Sequence, residues 1–150
     1  TTIDPEALHT ALAAMPMAFQ RLAARAAGKL SEHRGRILCV SAFGAHRTKT
    51  HSYGPTAPAK AALEAQVRVF AANLAPRGIT VNALVPGFIA KEAGTPSSLT
   101  ASQWAEVTRN IPLARLGRPE EVAAMGAFLL SEAGGYVTGQ CIHINGGLTL

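Results

Sequence analysis

Residues 60–89 read KAALEAQVRVFAANLAPRGITVNALVPGFI. In the first half, Leu63, Val67, Phe70 and Leu74 fall at i, i+4, i+7 and i+11, one apolar face of a helix. Pro76, Arg77 and Gly78 stop that helix. Residues 79–85 (ITVNALV) follow as a strand, and Pro86-Gly87 ends it abruptly. A largely apolar run of this length suits a strand buried on both faces, as in a parallel sheet covered by helices.

The rest of the chain extends the pattern outward. Gly35 precedes residues 36–41 (RILCVS), a second buried-strand run. Gly134-Gly135 turn the chain into residues 140–144 (QCIHI), a third, closed by Gly146-Gly147. Asp4, Pro5 and Glu6 begin a helical segment reaching about Leu30, which Pro16 should kink or divide. Residues 90–100 are rich in Gly, Pro, Ser and Thr and read as a loop. A short helix is expected over 102–109, and Pro119 opens another that runs to about Ser131. Strands alternating with helices predict an α/β domain, a parallel sheet with right-handed crossovers and covered faces.

Composition narrows the functions. At 150 residues the chain is one domain's worth, and no boundary falls inside it. It is 48% hydrophobic and 15% charged, with a mean hydropathy of +0.17. No apolar run approaches the ~18 residues that span a bilayer, and no signal peptide opens the chain. The net charge is +5, but Lys and Arg are scattered and only 5% of residues are aromatic, which argues against nucleic-acid binding. The densest basic stretch, residues 46–51 (HRTKTH), is either a solvated loop or a docking point for a phosphate-bearing substrate arm. Cys39 and Cys141 lie in separate strands and read as free thiols of a reducing, cytoplasmic compartment. His9, His33, His46, His51 and His143 show no metal-ligand spacing, and no metal is expected. The opening Thr1-Thr2-Ile3-Asp4 lacks an initiator Met, as if entered in mid-protein.

Tyr53 stands seven residues before Lys60 at the head of the central helix. A phenol beside an ammonium can serve as a proton donor, because the positive charge favours the ionised phenol. Seven residues of ideal helix rise ~10.5 Å, too far for contact. Gly54, Pro55 and Pro58 offer a way round: with Thr56 as the cap, Tyr53 lies on bent chain before the helix and can fold back.

Residues 35–41, 60–89 and 112–147 stand in the order and at the separations of the C-terminal part of a short-chain dehydrogenase/reductase, and the chain resembles that superfamily over nearly its whole length. The resemblance implies the C-terminal part of a Rossmann-like doubly wound parallel sheet with flanking helices. It implies NAD or NADP lying across the strand ends. Tyr53 and Lys60 would be catalytic. Ser41, Tyr53, Lys60, Pro86, Gly87, Phe88 and Ile89 would hold the cofactor, with main-chain groups at Ile89 meeting the nicotinamide amide and Lys60 the ribose. Leu99, Trp104 and Ile111 fall in or beside the family's substrate lid. Small residues on two helices (Ala61, Ala65 and Ala72; Ala123, Ala124 and Ala127) suit the helix contacts that build dimers and tetramers in the family, or else internal packing.

Three features depart from the family pattern. The usual Tyr-x3-Lys places Thr56 where the Tyr belongs, and Tyr-x6-Lys resembles the enoyl-[acyl-carrier-protein] reductases instead. Where the family has a Ser-Ser pair after the strand, Ser41-Ala42 leaves the second position without a hydroxyl, with Ser52 as a substitute candidate. No glycine-rich dinucleotide loop occurs among the 14 glycines, so nothing in the chain cradles a pyrophosphate. The reading is therefore a partial Rossmann-like domain of an NAD(P)-dependent oxidoreductase that reduces an enoyl thioester in fatty acid synthesis. The alternatives are a 3-oxoacyl or other carbonyl reductase, and a catalytically inactive structural or regulatory subunit. The expected partners are a small-molecule or acyl-thioester substrate and further copies of the chain.

Overall fold

In the computed structural model, residues 3–47, 53–92, 94–95 and 99–150 are described. The chain opens with α1 (Pro5–Leu12), whose N-cap Asp4 accepts from the Glu6 and Ala7 amides at 3.3 Å each. Pro16 divides the helical segment as expected, and the form of the division is a π turn over Ala13–Met17 leading into α2 (Ala18–Ala27). Pro has no N–H and its ring clashes with the carbonyl four residues back, so widening one turn accommodates it without ending the helix.

Three parallel strands form the sheet in the order β1 (Arg36–Val40), β2 (Thr80–Pro86), β3 (Cys141–Ile144). Arg36 pairs with Thr80 and Val40 with Leu84; Ala83 pairs with Cys141 and Pro86 with Ile144. The central strand β2 is buried along its length up to Pro86. Alternation splits its side chains between two layers. Val81 and Ala83 face α3 (Thr56–Leu74), joining Val67, Ala71, Leu74 and Ile79 in one core cluster, with Phe19 of α2 and Phe70 packed against it. Leu84 and Leu38 face α5 (Pro119–Leu130) at Gly126, where even a Cβ would stand in ordinary contact, 3.5 Å from both leucines. Asn82 on the same face is 1% exposed, yet satisfied: its amide donates to Val137 O at 2.8 Å and its carbonyl accepts from Gln140 N at 3.0 Å, fixing the approach to β3.

The predicted apolar face of α3 is the buried one, with Leu63, Val67 and Leu74 in the interior and Phe70 at its margin. Its start differs from expectation. Thr56 is the first helical residue and Pro55 holds the cap position in αR backbone, so the helix continues a preceding turn instead of starting from an extended cap. The Thr56 hydroxyl donates back to Tyr53 O at 3.4 Å. A short α4 (Ala101–Arg109) starts with a Thr100/Gln103 capping box. Ala61, Ala65 and Ala72 of α3 and Ala123, Ala124 and Ala127 of α5 are exposed, not packed internally.

The two cysteines are free, as expected. Cys39 and Cys141 both neighbour Ala83, from opposite sides. Two strand spacings, ~9.6 Å, separate them, beyond the ~6.8 Å Cα limit of a disulfide.

Candidate active site

Because the strands are parallel, Ser41, residues 86–89 and Asn145 gather at one edge of the sheet. Ser41 is buried, and its hydroxyl donates to Glu64 Oε1. Glu64 Oε2 meets His46 Nε2 at 2.8 Å. The His46 ring packs edge-on against His143, centroids 4.5 Å apart. His143 Nδ1 lies 3.3 Å from both Asn145 Nδ2 and Thr149 Oγ1. Burial, with His46 second, pushes the His143 imidazole down, while Glu64 acts against them. The trio of hydroxyl, carboxylate and imidazole has the wrong order for a nucleophile: a catalytic serine needs the imidazole next to it, and here the carboxylate stands between. The network instead fixes the end of β1, the 43–47 turn and α3 to β3, and its two partners satisfy a buried carboxylate. Glu64 was not singled out in the sequence. A signal existed: Lys60, Glu64, Val67 and Ala71 share one helical stripe, and two of these are apolar.

Tyr53 sits in the turn before α3, as anticipated, and Gly44 makes room for it, since a Cβ at 44 would stand 3.1 Å from the Tyr53 ring. The ring meets Phe43 edge-on with centroids 5.4 Å apart; Phe43 packs on Phe88 at 4.7 Å, and Phe88 meets Trp104 of α4 edge-on at 5.9 Å. Beneath α4, Phe43, Tyr53 and Phe88 line a cavity of 490 Å³ together with Leu99, Val107 and Leu148. Of the expected lid residues, Leu99 lines this cavity, Trp104 braces it through Phe88, and Ile111 is a core residue, 3% exposed.

Lys60 Nζ donates to Val40 O at 2.7 Å, which places the ammonium at the tip of β1. It opens on a different space, an apolar groove of 710 Å³ between β1 and α2. Tyr53 and Lys60 form no hydrogen bond with each other. The expectation that Lys60 lowers the Tyr53 pKa fails: burial pushes the phenol up, and no charge offsets it. Burial likewise pushes Lys60 down, against Cys39 and Glu64, which raise it. Ser52 and His51 lie outside the described residues.

Gly87 is needed because a Cβ there would fall 2.8 Å from Asn145 Cα, so its closest neighbour is the β3 turn and not an open face. Ile89 forms a β-bridge with Gly117. The bonds of that bridge run from Gly117 N to Phe88 O at 2.9 Å and from Ala90 N to Gly117 O at 2.8 Å. The N–H and C=O of Ile89 itself therefore project the other way, and among the described residues neither has a backbone partner. A donor and an acceptor on one residue match a carboxamide. That chemistry suits a nicotinamide amide at Ile89, whereas a pyrophosphate finds no glycine-rich loop here. Among the described residues no cluster could hold a metal ion, and no helix is long and apolar enough to cross a membrane.

A parallel α/β sheet with its candidate groups at the strand tips is the architecture of the short-chain dehydrogenases/reductases. Residues 1–149 match the family model described as enoyl-(acyl carrier protein) reductase, and the chain belongs to that family within the superfamily. It is similar to 3-oxoacyl-[acyl-carrier-protein] reductase of Haemophilus influenzae, 44% identical over 92 residues, covering 61% of this chain and 37% of the relative. It is also similar to cyclohexanol dehydrogenase of a Rhodococcus, 35% identical over 144 residues, covering 95% and 48%. Among solved structures, a mutant short-chain dehydrogenase/reductase of Serratia marcescens superposes with a TM-score of 0.87 at 26% identity, covering 98% of this chain and 58% of that one. A blue fluorescent protein from a metagenomic library, in complex with NADPH, gives 0.71 at 31% identity, covering 79% and 47%. The chain spans about half or less of the length of these curated relatives.

Proposed function

We propose that the chain is the substrate-side portion of an NAD(P)-dependent short-chain oxidoreductase that reduces an α,β-unsaturated thioester. The observation that carries this reading is the position of Tyr53 in the aromatic cavity at the strand tips. When bound, a dihydronicotinamide supplies hydride. Ile89 main-chain groups orient its amide, and Lys60 holds the ribose. Residues 86–88 shape the wall beside it, and Ser41 positions the tip of β1 through Glu64.

A phenol raised by burial stays protonated at neutral pH. Tyr53 is therefore a hydrogen-bond donor to the oxygen that becomes negative as the enolate forms, an oxyanion-stabilising role. Carbonyl reduction asks for a second hydroxyl to hold the substrate oxygen, but Ser41 is committed to Glu64 and Ala42 has none. That favours the enoyl over the oxo substrate. The 3-oxoacyl reading is supported by the named activity of relatives such as the Haemophilus influenzae protein. The exposed alanines of α3 and α5 support a dimer or tetramer, and the two free thiols a cytoplasmic setting.

NADH and NADPH oxidation by the full-length protein, with crotonyl and with acetoacetyl thioester, separates the readings. Faster turnover of crotonyl thioester is expected. Acetoacetyl preference would replace the enoyl reading with the 3-oxoacyl one, and no turnover of either would leave the inactive-subunit reading.

A further inference from the structure

Arg47 lines the same cavity as Tyr53, and it is held there by three anchors. Its amide donates to Phe43 O at 3.0 Å. Its neighbour His46 is fixed by Glu64 at 2.8 Å. Its guanidinium Nη1 donates to Leu148 O. A guanidinium carries five N–H donors, so this carbonyl leaves most of them available. Four arginines, Arg34, Arg77, Arg115 and Arg118, each face a glutamate. Arg47 has no ion pair among the described residues, and no residue outside that set is an Asp or Glu. Glu106 on α4 is the one carboxylate lining the cavity, and it forms no ion pair with Arg47. A pre-positioned, half-buried guanidinium with no ion-pair partner, in a wall that also holds Gln103, Glu106 and Asn110, is suited to bidentate capture of an oxyanion.

We propose that Arg47 anchors an oxyanion carried by the substrate, a phosphate on its thiol arm or a carboxylate on its acyl chain, while the reacting part of the substrate lies before Tyr53. The placing of the reacting part rests on the reductase reading; the anion site does not. Calorimetric titration of the full-length protein tests it with three acyl thioesters: of 4′-phosphopantetheine, of pantetheine, and of pantetheine bearing an acyl chain that ends in a carboxylate. One charged thioester should bind ~10-fold or more tightly than the neutral one, as expected of a charge-assisted hydrogen-bond pair. Whichever charged thioester does so names the source of the oxyanion.

Arg47→Gln should abolish that difference and Arg47→Lys should keep part of it. Glu106→Gln should widen it, by removing the opposing carboxylate. Unchanged thermal unfolding midpoints in the variants certify their folds, and the Glu106→Gln comparison stands on its own if Arg47→Gln is destabilised. Equal affinity for all three thioesters, or a preference that survives Arg47→Gln, overturns the proposal. Because binding is read without turnover, an anion preference in a protein that reduces nothing would uphold Arg47 and remove the reductase reading. Turnover with no anion preference would do the reverse.

Discussion

Lys60 and Glu64 are one helical turn apart on α3, yet their side chains serve different places. Lys60 reaches the carbonyl that ends β1, and Glu64 is sealed between Ser41 and His46. Cys39 lies near enough to feel both charges, but burial dominates and pushes its thiol up to about 12. Cys141 moves in the same direction, again chiefly through burial. At pH 8 the native Cys39 thiolate should be about a thousandfold scarcer than that of an ordinary thiol, so alkylation by iodoacetamide should be slowed by about that factor until the chain opens. The sign for stability follows. The folded state holds the proton more tightly than the unfolded chain, so this contribution is complete below the ordinary thiol value of 9.0 and is lost as pH rises toward about 12. Mass spectrometry of alkylated peptides checks the rate; rapid native labelling of Cys39 would contradict the burial. The pairing of thiols with strands was legible in the sequence because a strand alternates its faces. Glu64 was not legible as a network member, since its partners Ser41 and His46 are brought to it by the crossover.

At the scale of elements, local chemistry was readable where it acts over one turn. Asp4 caps α1 and Pro16 marks the change of helical pitch. The start of α5 is another such site: Glu121 accepts from the Arg118 amide at 2.8 Å and from Arg115 Nη2 and Nη1 at 2.7 and 2.8 Å. The Arg115 hydrogen bonds, then the Arg118 amide, hold the Glu121 carboxyl at about 2. Carboxylate NMR should give a Glu121 midpoint near that value, and Arg115→Ala should return it toward the ordinary 4.5. With a lowered folded pKa, this contribution is present above the ordinary value and is lost as pH falls toward about 2. A wild-type midpoint in the ordinary range would remove the proposed clamp. The head of α3 was misread for an instructive reason. Thr56 looks like a cap by residue type, but a cap needs extended backbone, and the turn through Tyr53 delivers Pro55 already in helical conformation.

For the whole molecule, the alternation of helix and strand disclosed the parallel sheet, because a strand covered on both faces must be apolar throughout. The strand order β1-β2-β3 puts β2 in the middle with partners on both sides, while among the described residues the outer edges of β1 and β3 pair with no strand. Hydrogen exchange should therefore find Val81, Ala83, Leu84 and Val85 the slowest amides, with Ile37 and Cys39 of β1 faster. Equal protection across the three strands would contradict this order. The groove beside β1, which Lys60 also lines, exposes Val40 (53%) and Leu22 (70%). The aromatic cavity was the part least visible beforehand. Residues 43, 53, 88, 107 and 148 come from five separate segments, and no periodicity links them; only the shared edge of a parallel sheet does.

The direct test of the account is the turnover of Tyr53→Phe in the full-length protein under saturating NADH or NADPH and crotonyl thioester. The Phe ring keeps the packing on Phe43 and Gly44, so thermal unfolding should be little changed. Loss of the hydroxyl should lower kcat by about 10²–10³ while KM moves only a few-fold, as for removal of one oxyanion donor. A variant that turns over as fast as the native protein would show that Tyr53 is a packing residue and that the cavity it lines is not where the reaction occurs.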